Sequence, residues 1–215
     1  MSKIVQPFPS AHGLGPAEAK DQLRRAIRAE REKRSPRALL HAAQNLAQVV
    51  GDMPQLRNVD VVACYVSRPT EPGTVPLVER LTQRGVRVLL PVLGAGLQRD
   101  WAWYTSTEDL QVRAPGRPPE PSGPTLGGEA VAQAQAVVVP ALAVDTRGAR
   151  LGQGGGWYDR VLAHADPEAP LVAMVFAEEL YDADERPLPQ EPHDVTVPLV
   201  ATPSGWQRLR TTAGA

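Results

Sequence analysis

One cysteine among 215 residues, Cys64, rules out an intrachain disulfide. It lies in the apolar run Val61-Val62-Ala63-Cys64-Tyr65-Val66, where a buried, inert thiol is the ordinary outcome. No apolar run approaches the roughly 18 residues that a membrane-spanning helix requires. Met1 to Pro16 lack the basic stretch and apolar core of a secretory leader. A cytoplasmic protein is therefore expected. Charge of one sign is missing too: 23 Lys and Arg against 24 Asp and Glu leave a formal net charge of -1. No overall field draws nucleic acid or an anionic membrane, so any anion site must be local. The four histidines, His12, His41, His164 and His193, show no metal-ligand spacing. No repeat or linker divides the chain, which predicts a flexible tail at 1–16 and a single domain at 17–215.

The apolar pattern alternates between strand and helix. From Ala17, Leu23 and Ile27 recur on one helical face among Arg24, Arg25, Arg28 and Arg31, which predicts a basic, largely solvated helix. Ser35-Pro36 reads as an N-cap with proline in the first turn of a second helix, and Gly51 as its stop. Val59–Val66, Val86–Val92 (broken at Pro91), Ala136–Ala143, Leu171–Phe176 and Val195–Val200 predict strands. Helices are predicted at 74–84 and Trp157–His164, an edge strand at Trp101–Tyr104, and a long Pro/Gly loop at 113–128. Trp101, Trp103 and Tyr104 are read as core in preference to a stacking surface. The predicted fold is α/β, a three-layer Rossmann-like sheet, mostly parallel, with an N-terminal helical pair.

The chemistry concentrates in Val139 to Arg160. An apolar strand ending at Asp145 leads into Gly148-Ala149-Arg150-Leu151-Gly152-Gln153-Gly154-Gly155-Gly156-Trp157-Tyr158-Asp159. Glycines let backbone N–H groups converge on one point, and Arg150 adds a charged fork, a combination suited to phosphate. Asp159 is a hard oxygen ligand for Mg²⁺ at phosphate oxygens. A Walker loop is excluded because no Gly-Lys-Ser/Thr closes the segment, and Trp157 stands where a dinucleotide fingerprint needs its third glycine. A glycine-rich turn without a ligand is the plain alternative.

RLGQGGGWYDR resembles the RLGxGGGYYDR signature of the 5-formyltetrahydrofolate cyclo-ligase family. Lys20-Asp21-Gln22-Leu23-Arg24 resembles the family's K-x-x-L-R element. Tyr65-Val66-Ser67 with Glu71 and Thr74, Leu90-Pro91-Val92, Glu120-Pro121 and His193-Asp194-Val195 resemble further elements, in family order from about residue 20 to 203. The resemblance implies ATP-dependent closure of 5-formyltetrahydrofolate to 5,10-methenyltetrahydrofolate, releasing ADP and phosphate after phosphorylation of the formyl oxygen. It implies an ATP site from Lys20, Arg24, Arg150, Leu151, Gly152, Gln153, Gly154, Gly155, Gly156, Trp157 and Tyr158. Among these, Lys20, Arg150 and Tyr158 would be the catalytic set. It implies folate contacts from Arg24, Val66, Glu71 and Gly154 to Trp157, and Mg²⁺ at Asp159 and Asp194. Trp157 departs from the usual Tyr or Phe, Gly155 stands where some members carry Lys, and Gln153 fills a variable slot.

The competing readings are a sugar-phosphate isomerase or coenzyme A transferase, a non-catalytic or redirected folate/nucleotide-binding paralogue, and a nucleic-acid module. No catalytic acid or Asp-His set marks a strand end for the first, and only the basic helix supports the last. Small-molecule partners, no nucleic acid or membrane, and a monomer are expected.

Overall fold

The computed structural model describes residues 6–93 and 98–210. Four α-helices and ten strands follow in order: α1 Pro16–Glu32, α2 Pro36–Gly51, β1 Val61–Ala63, α3 Val75–Gln83, β2 Arg87–Leu93, β3 Arg99–Trp103, β4 Ala136–Pro140, β5 Ala143–Asp145, β6 Arg150–Leu151, α4 Trp157–Val161, β7 Leu171–Met174, β8 Leu180–Tyr181, β9 Leu199–Thr202 and β10 Gly205–Arg208. Seven strands form the main sheet in the order β10-β9-β7-β4-β1-β2-β3. Its five central strands are mutually parallel, and β3 and β10 flank them as antiparallel edges.

The near-continuous apolar strands follow from burial on both faces. Val62, Val88, Val138 and Val172 pack toward α2 and α3. Val61, Leu89, Val137 and Ala173 point the other way, toward the short helical turn at 128–133 and α4. Burial pushes the Cys64 thiol up to about 12, in accord with the inert reading.

Two strand expectations are corrected, and the helical pair is refined. The single strand predicted over Ala136–Ala143 is two strands: the chain leaves the main sheet after Pro140 and enters a small sheet ordered β6-β5-β8. The N-terminal helices both form, with Ser35 Oγ accepting from the Ala38 N–H, but they cover different sheets. Leu23 and Ile27 of α1 pack on Leu142, Ala143, Leu151 and Tyr181 of the small-sheet side, whereas α2 covers the main sheet. Pro91 does not break β2. Tyr104 N–H donates to Val88 O, so the alternating antiparallel register leaves the Pro91–Trp101 pair without backbone bonds, and β1 pairing has ended at Leu89.

The basic helix is also less solvated than its composition suggests. Arg31 is 1 % exposed; it donates to both Glu179 carboxylate oxygens and to Ala141 O at 2.7–2.8 Å. Burial works to strip its proton, but Glu179 outweighs that and raises its pKa. Arg34 stacks 3.8 Å from the Phe176 ring centroid. The tail expectation needs amendment for residues 6–15. Gln6 Nε2 donates to Glu178 O and Leu180 O, each at 3.0 Å, and Tyr181 OH donates to Pro7 O at 2.6 Å. No helix of the described residues is long and apolar enough to cross a membrane.

Candidate active site

The chain runs from β1 outward to β2 and β3, then returns to place β4 on the other side of β1. That reversal puts the carboxyl ends of β1 and β4 at a topological switch point, where open α/β sheets bind ligands. A cleft of about 590 Å³ opens there. All the site residues read from the sequence line it: Lys20, Arg24, Val66, Glu71, the run Arg150 to Asp159, and Asp194. Four separate regions of the chain are thus brought to one cavity.

The glycine segment is not a plain strand-loop-helix. β5 and β6 form a hairpin in which Asp145 Oδ1 accepts from the Arg147 and Ala149 N–H groups at 2.9 and 3.0 Å. Gly148, at φ 86°, turns the chain between them. This hairpin sets Arg150 8 % exposed at the cleft floor, paired with Asp159 while its Nε has no partner. Gly154 (φ 99°) and Gly156 (φ 58°) hold left-handed backbone that a side chain would strain. α4 has only five residues, so any anion drawn to this segment would meet the loop N–H groups and nearby cations rather than a long helix dipole.

α1 supplies the opposite wall. Arg24 Nε donates to Gly152 O at 3.0 Å and Arg28 donates to Gln153 O at 2.8 Å. Two α1 side chains therefore hold the glycine loop, one of which, Arg28, belongs to the helix face expected to be largely solvated. Lys20 Nζ bonds Glu191 Oε2 at 2.7 Å and Asp194 Oδ2 at 2.5 Å. Burial works to raise the Asp194 pKa, but hydrogen bonds from Lys20 and the Glu191 N–H outweigh it and hold it below its ordinary value. Ligand atoms of Glu191, His193 and Asp194 lie within 4.8 Å of one another, a grouping that sequence spacing did not reveal.

Glu71 is 7 % exposed and sits on a pinned turn. Its Oε2 accepts the Arg68 N–H at 2.8 Å, and its Oε1 accepts Gln153 Nε2 at 2.5 Å. Ser67 and Thr74 exchange two backbone-to-hydroxyl bonds across this turn at 3.1 and 3.3 Å. Tyr158 OH is buried without a partner. Burial, then Cys64 and Glu71, push its pKa well above the ordinary value, so it is a neutral donor. Trp157 packs edge-on against Trp101, centroids 5.1 Å apart. Trp101 itself is fully buried, which favours the core reading for that residue.

Tyr65, Arg68, Arg117, Glu120, Glu191 and His193 also line the cleft. Glu120-Pro121 and His193 carried a family resemblance without an assigned role; Arg68 and Arg117 carried no sequence signal beyond charge.

The profile of the "5-formyltetrahydrofolate cyclo-ligase family" matches residues 16–203. A 5-formyltetrahydrofolate cyclo-ligase of Mycolicibacterium smegmatis is 42 % identical over 145 residues, 66 % of this chain and 73 % of the relative. The enzyme of that name from Escherichia coli K12 is 29 % identical over 181 residues, 83 % and 97 % of the two chains. The NMR structure of Aquifex aeolicus 5,10-methenyltetrahydrofolate synthetase superposes with a TM-score of 0.74 at 24 % identity, over 91 % of this chain and 95 % of that one. The chain belongs to the 5-formyltetrahydrofolate cyclo-ligase family.

Proposed function

We propose that this cleft uses ATP to close 5-formyltetrahydrofolate into 5,10-methenyltetrahydrofolate, releasing ADP and phosphate. The observation that carries the reading is the gathering of Lys20, Arg150 and the glycine loop with the buried Glu71 turn in one cavity of about 590 Å³. A phosphate-binding half and a carboxylate-bearing half face one space. That is what transfer of a phosphoryl group onto a bound formyl oxygen requires.

In this reading Lys20, Arg24, Arg150 and the loop N–H groups from Leu151 to Tyr158 bind the ATP phosphates. Glu71 accepts N–H donors of the pterin, with Val66 on its apolar wall and Gly154 to Trp157 toward the formyl group. The formyl oxygen is a poor leaving group. Phosphorylation converts it into phosphate; N10 then attacks the formyl carbon, the C–O bond to phosphate breaks, and the N10 proton is lost. Lys20 and Arg150 offset the charge that develops on the transferred group, and the neutral Tyr158 phenol donates to it.

Mg²⁺ fits the donor set: Asp159 and Asp194 offer hard carboxylate oxygens, and among the described residues each accepts hydrogen bonds through only one of its two. These residues would hold the ion, which supplies charge neutralisation at the phosphates. A cytoplasmic, monomeric enzyme completes the proposal.

The test is absorbance in the methenyl-folate band after mixing the protein with 5-formyltetrahydrofolate and Mg-ATP. A rise that requires both ATP and Mg²⁺ supports the reading. Folate binding with no rise under any nucleotide would contradict it and favour a redirected paralogue.

A further inference from the structure

We infer that Glu120 contacts the folate, its free carboxylate oxygen accepting a substrate N–H. This rests on the reading that the cleft binds a tetrahydrofolate. Glu120 lies in the long loop between β3 and β4 and is 6 % exposed. Its backbone is fixed by reciprocal bonds with Gln111, at 2.8 and 2.9 Å, that make an isolated bridge. The side chain lines the cleft, where Oε2 is buried without a hydrogen-bond partner.

The nearby cation does not satisfy that oxygen. Arg113 Nε stands 3.6 Å away, beyond hydrogen-bond length, on a side chain that is 49 % exposed. Its Nη2 donates instead to Pro121 O at 3.2 Å. Glu71 makes the contrast, with both oxygens engaged. A carboxylate accepts hydrogen bonds, and among the described residues Oε2 makes none and is met only by the 3.6 Å ion pair with Arg113, so an N–H reaching it would complete its bonding. Phosphates cannot supply it, being acceptors of like charge. The N–H-rich tetrahydropterin with its N10 amine can. Val92 and Leu93, at the end of β2, line the same cleft as Glu120. β2 is the neighbour of β1, which leads to Val66 and Glu71, whereas Lys20 and Arg150 come from α1 and the small sheet.

The experiment is calorimetric binding of 5-formyltetrahydrofolate and, separately, of Mg-ATP to wild type, Glu120→Ala, Glu120→Gln and Arg113→Ala. Wild type that binds no folate would sink the functional reading, independently of this inference. Given wild-type binding, Glu120→Ala should weaken folate by at least about tenfold, the value of a lost charged hydrogen bond. Its ATP affinity should stay within about twofold, and Arg113→Ala should match wild type for both ligands. If Glu120→Ala does not fold, Glu120→Gln preserves the shape and should still weaken folate about threefold or more. The inference is overturned if folate affinity is unchanged in the folded Glu120 variant, if ATP weakens equally, or if Arg113→Ala reproduces the loss. That last result would reveal a structural ion pair.

Discussion

Lys20 Nζ lies 2.5 Å from Asp194 Oδ2, joining two cleft-lining residues 174 positions apart. The same ammonium holds Glu191 at 2.7 Å. Removing it takes away a cleft-lining charge, which in the proposed reading meets the ATP phosphates, and leaves two carboxylates without their cation. Lys20→Ala should therefore lower kcat/KM for ATP about ten- to a hundredfold, the scale of one or two charged hydrogen bonds. ATP titration at saturating folate measures it, and an unchanged ATP dependence would remove Lys20 from the phosphate site.

Gln153 Nε2 occupies Glu71 Oε1 at 2.5 Å. A pterin that bonds this oxygen from the same direction competes with the amide. Gln153→Ala should thus lower the KM for 5-formyltetrahydrofolate about two- to fivefold, corresponding to part of one hydrogen bond. The KM for ATP should change little. A raised folate KM would mean that the amide assists the pterin instead of competing with it.

The Arg31–Glu179 pair is held 1 % and 4 % exposed beneath α1. Removing one partner strands a buried charge, so Arg31→Ala and Glu179→Ala should each cost about 3–5 kcal/mol in denaturant unfolding. The double variant should cost less than the sum of the two, because the second substitution relieves the charge left by the first. Additive losses would show that the two groups do not depend on each other.

Cys64 should resist thiol reagents at pH 8 in the folded protein and react at once in denaturant. Its thiol is buried and held protonated, with a pKa raised from 9.0 to about 12. The linkage has a definite sign. A group whose folded pKa is raised contributes stability below pH 9.0, which is lost as pH rises toward about 12. Cys64→Ala should flatten part of that alkaline decline at a neutral-pH cost of about 1 kcal/mol. Tyr65 and Tyr158, whose pKa values burial also raises, should preserve a residual slope at higher pH.

Features encoded locally were legible before any coordinates. Ser35-Pro36 opens α2 because a cap acts within one turn of chain, whereas Gly51 is only its last residue, without a left-handed φ, and Asp52 caps the end. The glycine-dense segment and, through the family resemblance, Glu71, Lys20 and Asp194 stand out in the sequence, and all of them line one cleft. What was misread depends on partners far away in sequence. Ala136 to Ala143 is apolar throughout, so its composition cannot show that Pro140 ends one sheet and Ala143 begins another. Arg31 looks like a surface residue until Glu179, 148 positions on, comes to meet it. β10 was missed because three of its four residues are exposed and polar or aromatic, leaving no apolar alternation to detect. Gln153 offered no signal in a variable slot, yet its amide reaches Glu71.

The most direct test of the account follows one oxygen atom. 5-Formyltetrahydrofolate labelled with heavy oxygen in the formyl group is turned over with unlabelled Mg-ATP in unlabelled water, and the released phosphate is analysed by mass. If this cleft phosphorylates the formyl oxygen, the phosphate carries the label, in step with methenyl-folate formation. Unlabelled phosphate, with the heavy oxygen recovered in water, would contradict the mechanism proposed for the site.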